Sequence, residues 1–319
     1  MKPVATRLGV IVAYFLIYVV WGSTYYFIGV ALRGLPPFLL GALRFTVAGG
    51  LLLAVCALRG EAVLNRRLVL RSVVSGFVLL FVDMAVVMLA QRWVSSSLVA
   101  IVASSTAVWI MALDAPMWRR NFRNPAVVAG VAAGFLGVGM LYAEQFLAEG
   151  GAGGGTPGSA HPDSELGILL LVFGCVSWAV GTLYAKYRSS DAEEVNAFAG
   201  SAWQMISASA AFWVCALVAG EVAETDLGAV PAASWMSLAY LVMFGSIAAY
   251  SAYIWLLKVR PATEVATHAY VNPFVAVFLG VVLGGETVTW IQLCGLGVIL
   301  ASVALVGRRP CGVRRSGRD

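Results

Sequence analysis

Asp83 and Arg44 are the two residues of this chain best placed to do chemistry, because each is a charge set inside a long apolar run. Ionisable groups at membrane depth are costly, face the interior of a helix bundle, and mark binding sites or proton relays. The Asp83 carboxyl could answer Arg44 electrostatically, or it could carry a proton, since neutralising it removes the penalty of an apolar phase. The plainer reading lets Arg44 reach the headgroups on its long stem and makes Asp83 a structural hydrogen-bonder. His268 and Asn272 precede Pro273, which lacks a donor and frees a carbonyl one turn earlier. A broken helix beside such groups is where carriers handle polar cargo or protons. Gln204 adds a carboxamide that both donates and accepts. Trp21, Tyr25, Trp178 and Thr182 bring aromatic area and hydroxyls, the mixture of a small-molecule pocket. Interfacial belts also collect aromatics, but Trp21 and Trp178 lie too deep in their runs for that. Glu286, after Gly284 and Gly285, suits the N-terminus of the helix that follows it.

The elements that carry these residues are legible from composition. The chain is 61% hydrophobic and 12% charged, with a mean hydropathy of +0.87. Soluble domains stand near 45–50% apolar and about 25% charged. Ten runs approach the roughly 20 residues needed to cross hydrocarbon: about 9–31, 36–58, 69–90, 94–114, 125–144, 166–187, 197–219, 233–256, 262–284 and 288–307. They are too long and too uniformly apolar for barrel strands, so helices are expected. With the N-terminus in the cytoplasm, nearly all Arg and Lys fall on the inner side, including Arg66, Arg67, Arg119, Arg120, Lys258 and the tail. Glu221, Glu224 and Asp226 then face outward, as the positive-inside rule favours. The net charge of +5 thus reflects topology, and no nucleic-acid partner is expected.

Residues 145–165, rich in Gly and Pro, divide the chain as a flexible external linker. Residues 1–144 form a first five-helix repeat, 166–307 a second, and 308–319 a basic cytoplasmic tail. Because five is odd, the second repeat enters from the opposite side. The echo of Trp21–Phe27 in Trp178–Lys186 agrees with such an inverted duplication, which serves alternating access. The expected fold is therefore all-α and polytopic, with ten transmembrane helices in two inverted-topology five-helix repeats. Gly130 and Gly134, spaced by four, suit close helix packing. Catalysis finds no support: no phosphate-binding glycine loop, GxSxG elbow or HExxH pair occurs, and His161 and His268 are far apart. The five scattered cysteines show no metal or disulfide spacing, and no cofactor or metal is expected.

Trp21-Gly22-Ser23-Thr24 in the first span, Arg44-Phe45 in the second and Gly285-Glu286 after the ninth, in that order within ten spans, resemble the drug/metabolite transporter superfamily, specifically the EamA-type permeases. The resemblance covers residues 8–307. It implies a secondary carrier working around a central cavity, commonly an exporter of amino acids, metabolites or drugs, in a bacterial inner membrane with both termini cytoplasmic. The expected cargo is a small amphipathic metabolite, such as an amino acid or drug-like amine. The alternative is uptake or exchange of a polar sugar- or nucleotide-type substrate, which would need more deep basic groups than Arg44 and Arg92 supply. Many relatives carry Glu near the end of the third helix, where this chain has Gln91. That departure favours uniport or exchange, and leaves Asp83 as the substitute if protons are the coupling ion. Partners are limited to substrate and lipid, with a monomer or weak homodimer expected. A single cysteine replacing Gly155 is expected to react with an impermeant thiol reagent only from outside the cell. Labelling from the cytoplasm alone would invert this topology.

Overall fold

The computed structural model describes residues 6–61, 63–118, 123, 125–150, 164–189, 197–260 and 262–307. Among them the regular structure is helical and contains no strand. In chain order the longer helices are α1 (Arg7–Ala31), α2 (Pro37–Leu58), α3 (Arg66–Ala90), α4 (Ser96–Leu113), α5 (Pro125–Gly150), α6 (Ser164–Ser189), α7 (Ala197–Val218), α8 (Ala232–Val259), α9 (His268–Val282) and α10 (Trp290–Gly307). Seven of these, α1–α4 and α6–α8, are long and apolar enough to cross a membrane. The remaining three contain shorter apolar stretches, Pro125–Leu141, Val271–Val282 and Trp290–Ser302. The expected linker begins later than composition suggested. α5 runs on to Gly150 through Ala143–Ala148, a stretch of strong helix formers, and α6 begins at Ser164. Residues 151–163, Arg119, Arg120 and the tail lie outside the described residues.

Contacts between helix ends sort the bundle into two faces. On one face the Glu221 carboxylate, just beyond α7, accepts from the Leu39 backbone N–H in the first turn of α2 at 2.7 Å. Burial there pushes the Glu221 carboxyl above its usual range, against the pull of the Leu39 and Phe38 N–H groups and Arg92. Ser234 of α8 donates to the Val30 carbonyl at 3.1 Å. On the opposite face Tyr14 of α1 donates to Glu264 at 3.0 Å, and Trp203 of α7 donates to the Val63 carbonyl at 2.8 Å. Tyr187, near the end of α6, donates to Asp114 at the end of α4. α1 therefore starts on the face where α6 ends.

Glu286 departs from its expected role. It does not cap α10. Its two oxygens accept from the backbone N–H and hydroxyl of Ser96 at 3.1 and 2.5 Å, and from those of Ser97 at 3.0 and 2.5 Å. It thus caps α4, across the two halves of the chain. The reason is local: Gly285 sits at φ +67°, turning the chain so that the Glu286 N–H bonds back to the Gly280 carbonyl at 2.9 Å. The side chain is then carried toward α4 instead of forward along α10.

Small residues set how closely the helices approach, as Gly-rich membrane interfaces do. α5 and α10 meet where a β-carbon at Gly137 would lie 2.7 Å from Ile299, and one at Gly295 2.8 Å from Leu141. On α3, a β-carbon at Gly76 would lie 2.5 Å from the Gln204 Cα of α7, and even closer to its carbonyl oxygen. That obstacle is backbone and cannot rotate away. Gly139 has nothing within 4 Å. Gly76→Ala is therefore expected to destabilise by about 1–3 kcal/mol through overpacking, seen as a lowered thermal midpoint in detergent. Gly139→Ala should be neutral or stabilising by up to about 1 kcal/mol. Equal midpoints for the two variants would contradict the α3–α7 contact.

Candidate substrate site

Five helices lose their regular winding near the middle of the bundle. α1 widens to a π-helical turn at Leu16–Val20, α3 at Phe77–Val82 and α8 at Leu241–Tyr250. α4 breaks at Ser104–Ser105, and α9 follows a break at Ala266–Thr267 after the short turn Ala262–Val265. Such turns are frequent at functional sites, and in lipid each carbonyl they release must be met from within the protein. Side chains from the second half of the chain meet them. With its amide nitrogen turned toward α1, as the surrounding carbonyls require, Asn272 donates to Tyr18 at 2.8 Å and Ile17 at 2.9 Å. Ser177 of α6 donates to the Val78 carbonyl of α3 at 2.9 Å, and the Cys175 thiol to Val102 of α4 at 3.6 Å. His268 Nδ1 lies 2.9 Å from the Val265 carbonyl. Gly22 lets α9 come this near, since a β-carbon there would be 3.0 Å from the Asn272 Cα and carbonyl oxygen.

The irregular turns surround a cavity of about 50 Å³. Trp21, Thr24 and Tyr25 of α1, Asp83 and Met84 of α3, Thr106 of α4, Trp178 of α6, and His268 and Asn272 of α9 line it. Ligand pockets usually measure about 300–1,000 Å³, so in this conformation the cavity is contracted. Six residues singled out in the sequence meet here: Trp21, Tyr25, Asp83, Trp178, His268 and Asn272. Trp21 and Trp178, the echoed tryptophans of the two halves, touch edge-on with centroids 5.3 Å apart. Tyr253 packs 5.1 Å from Trp21 and 5.4 Å from Trp178, and His268 5.3 Å from Trp21.

The other three nominated residues stand behind this wall. Thr182 bonds the Tyr253 hydroxyl at 2.7 Å, and that hydroxyl also accepts from Trp178 Nε1 at 3.2 Å. Gln204 donates to Ser75 at 2.7 Å and accepts from the Tyr250 hydroxyl at 2.8 Å. Arg44 is 2% exposed; its Nε donates to Ser246 at 2.8 Å, and its Nη1 lies 4.0 Å from the Met84 sulfur. Sequence reasoning missed Tyr250, Tyr253 and Met84. The two tyrosines, three residues apart, share one helix face, a signal hidden in an otherwise apolar eighth span.

Asp83 and Arg44 do not form the pair that their depths suggested. Among the described residues Arg44 makes no ion pair, and it does not reach toward the headgroups. Successive residues of a helix point about 100° apart. Met84 takes the direction of Arg44, while Asp83 turns toward α6, where a β-carbon at Gly174 would be 3.2 Å from its Oδ1. Each charge is thus buried without a counter-ion, at a cost of about 2.5–3.5 kcal/mol on insertion scales.

Asn272→Leu keeps the shape of the side chain but removes the amide that donates to the Ile17 and Tyr18 carbonyls. The expected cost is about 1–3 kcal/mol, read as a lower thermal midpoint in detergent. An unchanged midpoint would mean that the α1 turn is satisfied in another way.

Comparison with known proteins gives the arrangement a context. The chain matches the EamA-like transporter family over residues 7–143 and 165–308. It is 35% identical over 297 residues to the "Uncharacterized inner membrane transporter YedA" of Escherichia coli, covering 92% of this chain and 89% of that protein. It is 26% identical to the "Probable amino-acid metabolite efflux pump" of Salmonella typhimurium, covering 90% and 91%. One crystal structure is similar over 94% of this chain and 96% of its own, with a TM-score of 0.66 and 20% identity, and so shares the fold.

Proposed function

The chain belongs to the EamA-like transporter family, a membrane transporter and not an enzyme, and on that premise we propose that it exports small amphipathic metabolites, amino acids or drug-like amines, by alternating access. The observation that carries this reading is the cavity itself, where the two echoed tryptophans meet beside a single unpaired carboxylate, Asp83. Aromatic faces suit an apolar or aromatic moiety and attract cations, and the carboxylate suits an ammonium group. The Salmonella relative, a probable amino-acid metabolite efflux pump, supports the same class of cargo. Sugar phosphates and nucleotides, which call for several basic groups, fit poorly, because among the described residues no Lys or Arg lines the cavity and Arg44 alone stands close behind the cavity-lining Met84.

The proposal includes ten spans in two inverted five-helix repeats. Two features support it: α1 and α6 run in opposite senses, and the second helix of each half mirrors the other. Arg44 stands seven residues into α2 and Gln204 seven residues into α7. Each reaches a serine beside a glycine in the third helix of the other half, Ser246 by Gly245 and Ser75 by Gly76. The proposed location is a bacterial inner membrane with both termini in the cytoplasm, in keeping with the basic face and with the inner-membrane relative.

Asp83 is the proposed coupling group. It has no hydrogen-bond or ion-pair partner among the described residues, so one carboxylate can bind either a proton or the ammonium of the cargo, which makes the two exchange. In proteoliposomes Asp83→Asn is expected to abolish accumulation driven by a pH gradient, while exchange persists at raised substrate concentration. His268→Ala should keep the pH-driven component. Unchanged pH-driven flux in Asp83→Asn would remove Asp83 as the proton site.

A further inference from the structure

Arg44 carries more charge than its structural task requires. Its bond to Ser246 joins α2 to α8, and the mirrored bond from Gln204 to Ser75 joins α7 to α3. A neutral carboxamide performs that cross-half link on one side, so the guanidinium on the other is surplus to it. A guanidinium has five N–H donors in a planar fork that matches a carboxylate. Here one N–H meets a hydroxyl and another faces a sulfur, a weak acceptor, and no carboxylate answers the charge among the described residues. Apart from the Phe45 ring, whose centroid lies 5.0 Å from the Arg44 Cζ, the guanidinium is left open to an anionic partner.

The position of Arg44 indicates where such a partner would arrive. Met84, the residue its Nη1 faces, lines the cavity. A β-carbon at Gly245 would lie 2.9 Å from the Thr24 methyl and 3.1 Å from Arg44 Nη2, so the fork also sits beside the cavity-lining Thr24. The thioether arm of Met84 and the Thr24 side chain thus stand between the guanidinium and the cavity. Methionine is unbranched, with three rotatable bonds, so this screen turns aside at little cost. Asp83, the next residue along α3, faces the same cavity.

We infer that Arg44 is a specificity-determining group, screened by Met84 in the contracted conformation, that takes the carboxylate of a zwitterionic substrate whose ammonium lies at Asp83. This rests on the transport reading above and narrows its cargo: amino acids carrying both charges are preferred over amines carrying one. The two buried charges are then neutralised together by one ligand, and the aromatic cluster of Trp21, Trp178 and Tyr253 holds its apolar side chain.

Three probes that differ by one group each test this by equilibrium binding to the purified full-length protein: phenylalanine, phenethylamine, which lacks the carboxylate, and 3-phenylpropionate, which lacks the ammonium. The wild type should bind phenylalanine about 10- to 100-fold more tightly than phenethylamine, the range of one charge-assisted pair. Arg44→Gln should erase that preference and leave phenethylamine binding within about twofold. Arg44→Lys should restore part of it, because the charge stays while the fork is lost. Met84→Ile keeps an apolar wall but stiffens it, and should weaken phenylalanine alone; this arm stands even if Arg44→Gln does not fold. Equal loss of both amines in Arg44→Gln, or no loss of either, overturns the inference. Tight phenethylamine binding by a wild type indifferent to the carboxylate overturns it and leaves the transport reading in place. Binding of none of the three overturns both.

Discussion

Hydrocarbon offers no hydrogen bond to a carbonyl, and much of this structure follows from that constraint. A regular helix satisfies its own backbone, so a bundle of regular helices would be easy to place in lipid and would have little to offer a polar substrate. This chain breaks or widens α1, α3, α4, α8 and α9 near one level, and released carbonyls must find donors inside the protein. For α1 and α3 the donors are Asn272 and Ser177, and Cys175 adds its thiol to the Val102 carbonyl of α4, which the Ser105 N–H also meets. All three come from the second half and serve carbonyls of the first. The site is consequently built at the seam between halves.

The same seam explains the unequal treatment of two mirrored positions. Gln204 and Arg44 both stitch a second helix to a third helix of the other half, yet only Arg44 brings a charge. A neutral group would avoid the insertion cost of an uncompensated guanidinium. Asp83 is likewise unpaired, one residue from the methionine that faces Arg44. Two opposite charges at similar depth, kept apart by a flexible thioether, form a polarised site more naturally than a structural ion pair.

The ends of the bundle complete the mechanics. On one face Glu286 holds the start of α4 and Glu221 the start of α2; on the other, Tyr14 meets Glu264 and Tyr187 meets Asp114. Hydrogen bonds to charged groups contribute about 1.5–3 kcal/mol each, so these few contacts carry much of the cohesion between helix ends. The cavity lined by Trp21, Asp83 and Trp178 measures about 50 Å³, small beside an ordinary ligand pocket.

The sequence by itself determined the environment, the helical character and the short list of deep polar residues. Lipid filters composition and segment length strongly, so Asp83, Arg44, His268 and the paired tryptophans stand out in a linear reading. Most of them meet at one cavity. Tertiary structure alone decided which residues face which. Arg44 could be read as Asp83's partner or as a snorkelling side chain, and it is neither, because the rotation of α3 sets Met84 in the way. Glu286 reads as the cap of the helix it precedes, yet a left-handed Gly285 delivers it to α4 instead. Thr182 and Gln204 look like lining residues and prove to be supports for Tyr253 and Tyr250. Depth along a helix is written in residue number, whereas azimuth and partner depend on packing between segments 40 to 190 residues apart, which no local pattern encodes.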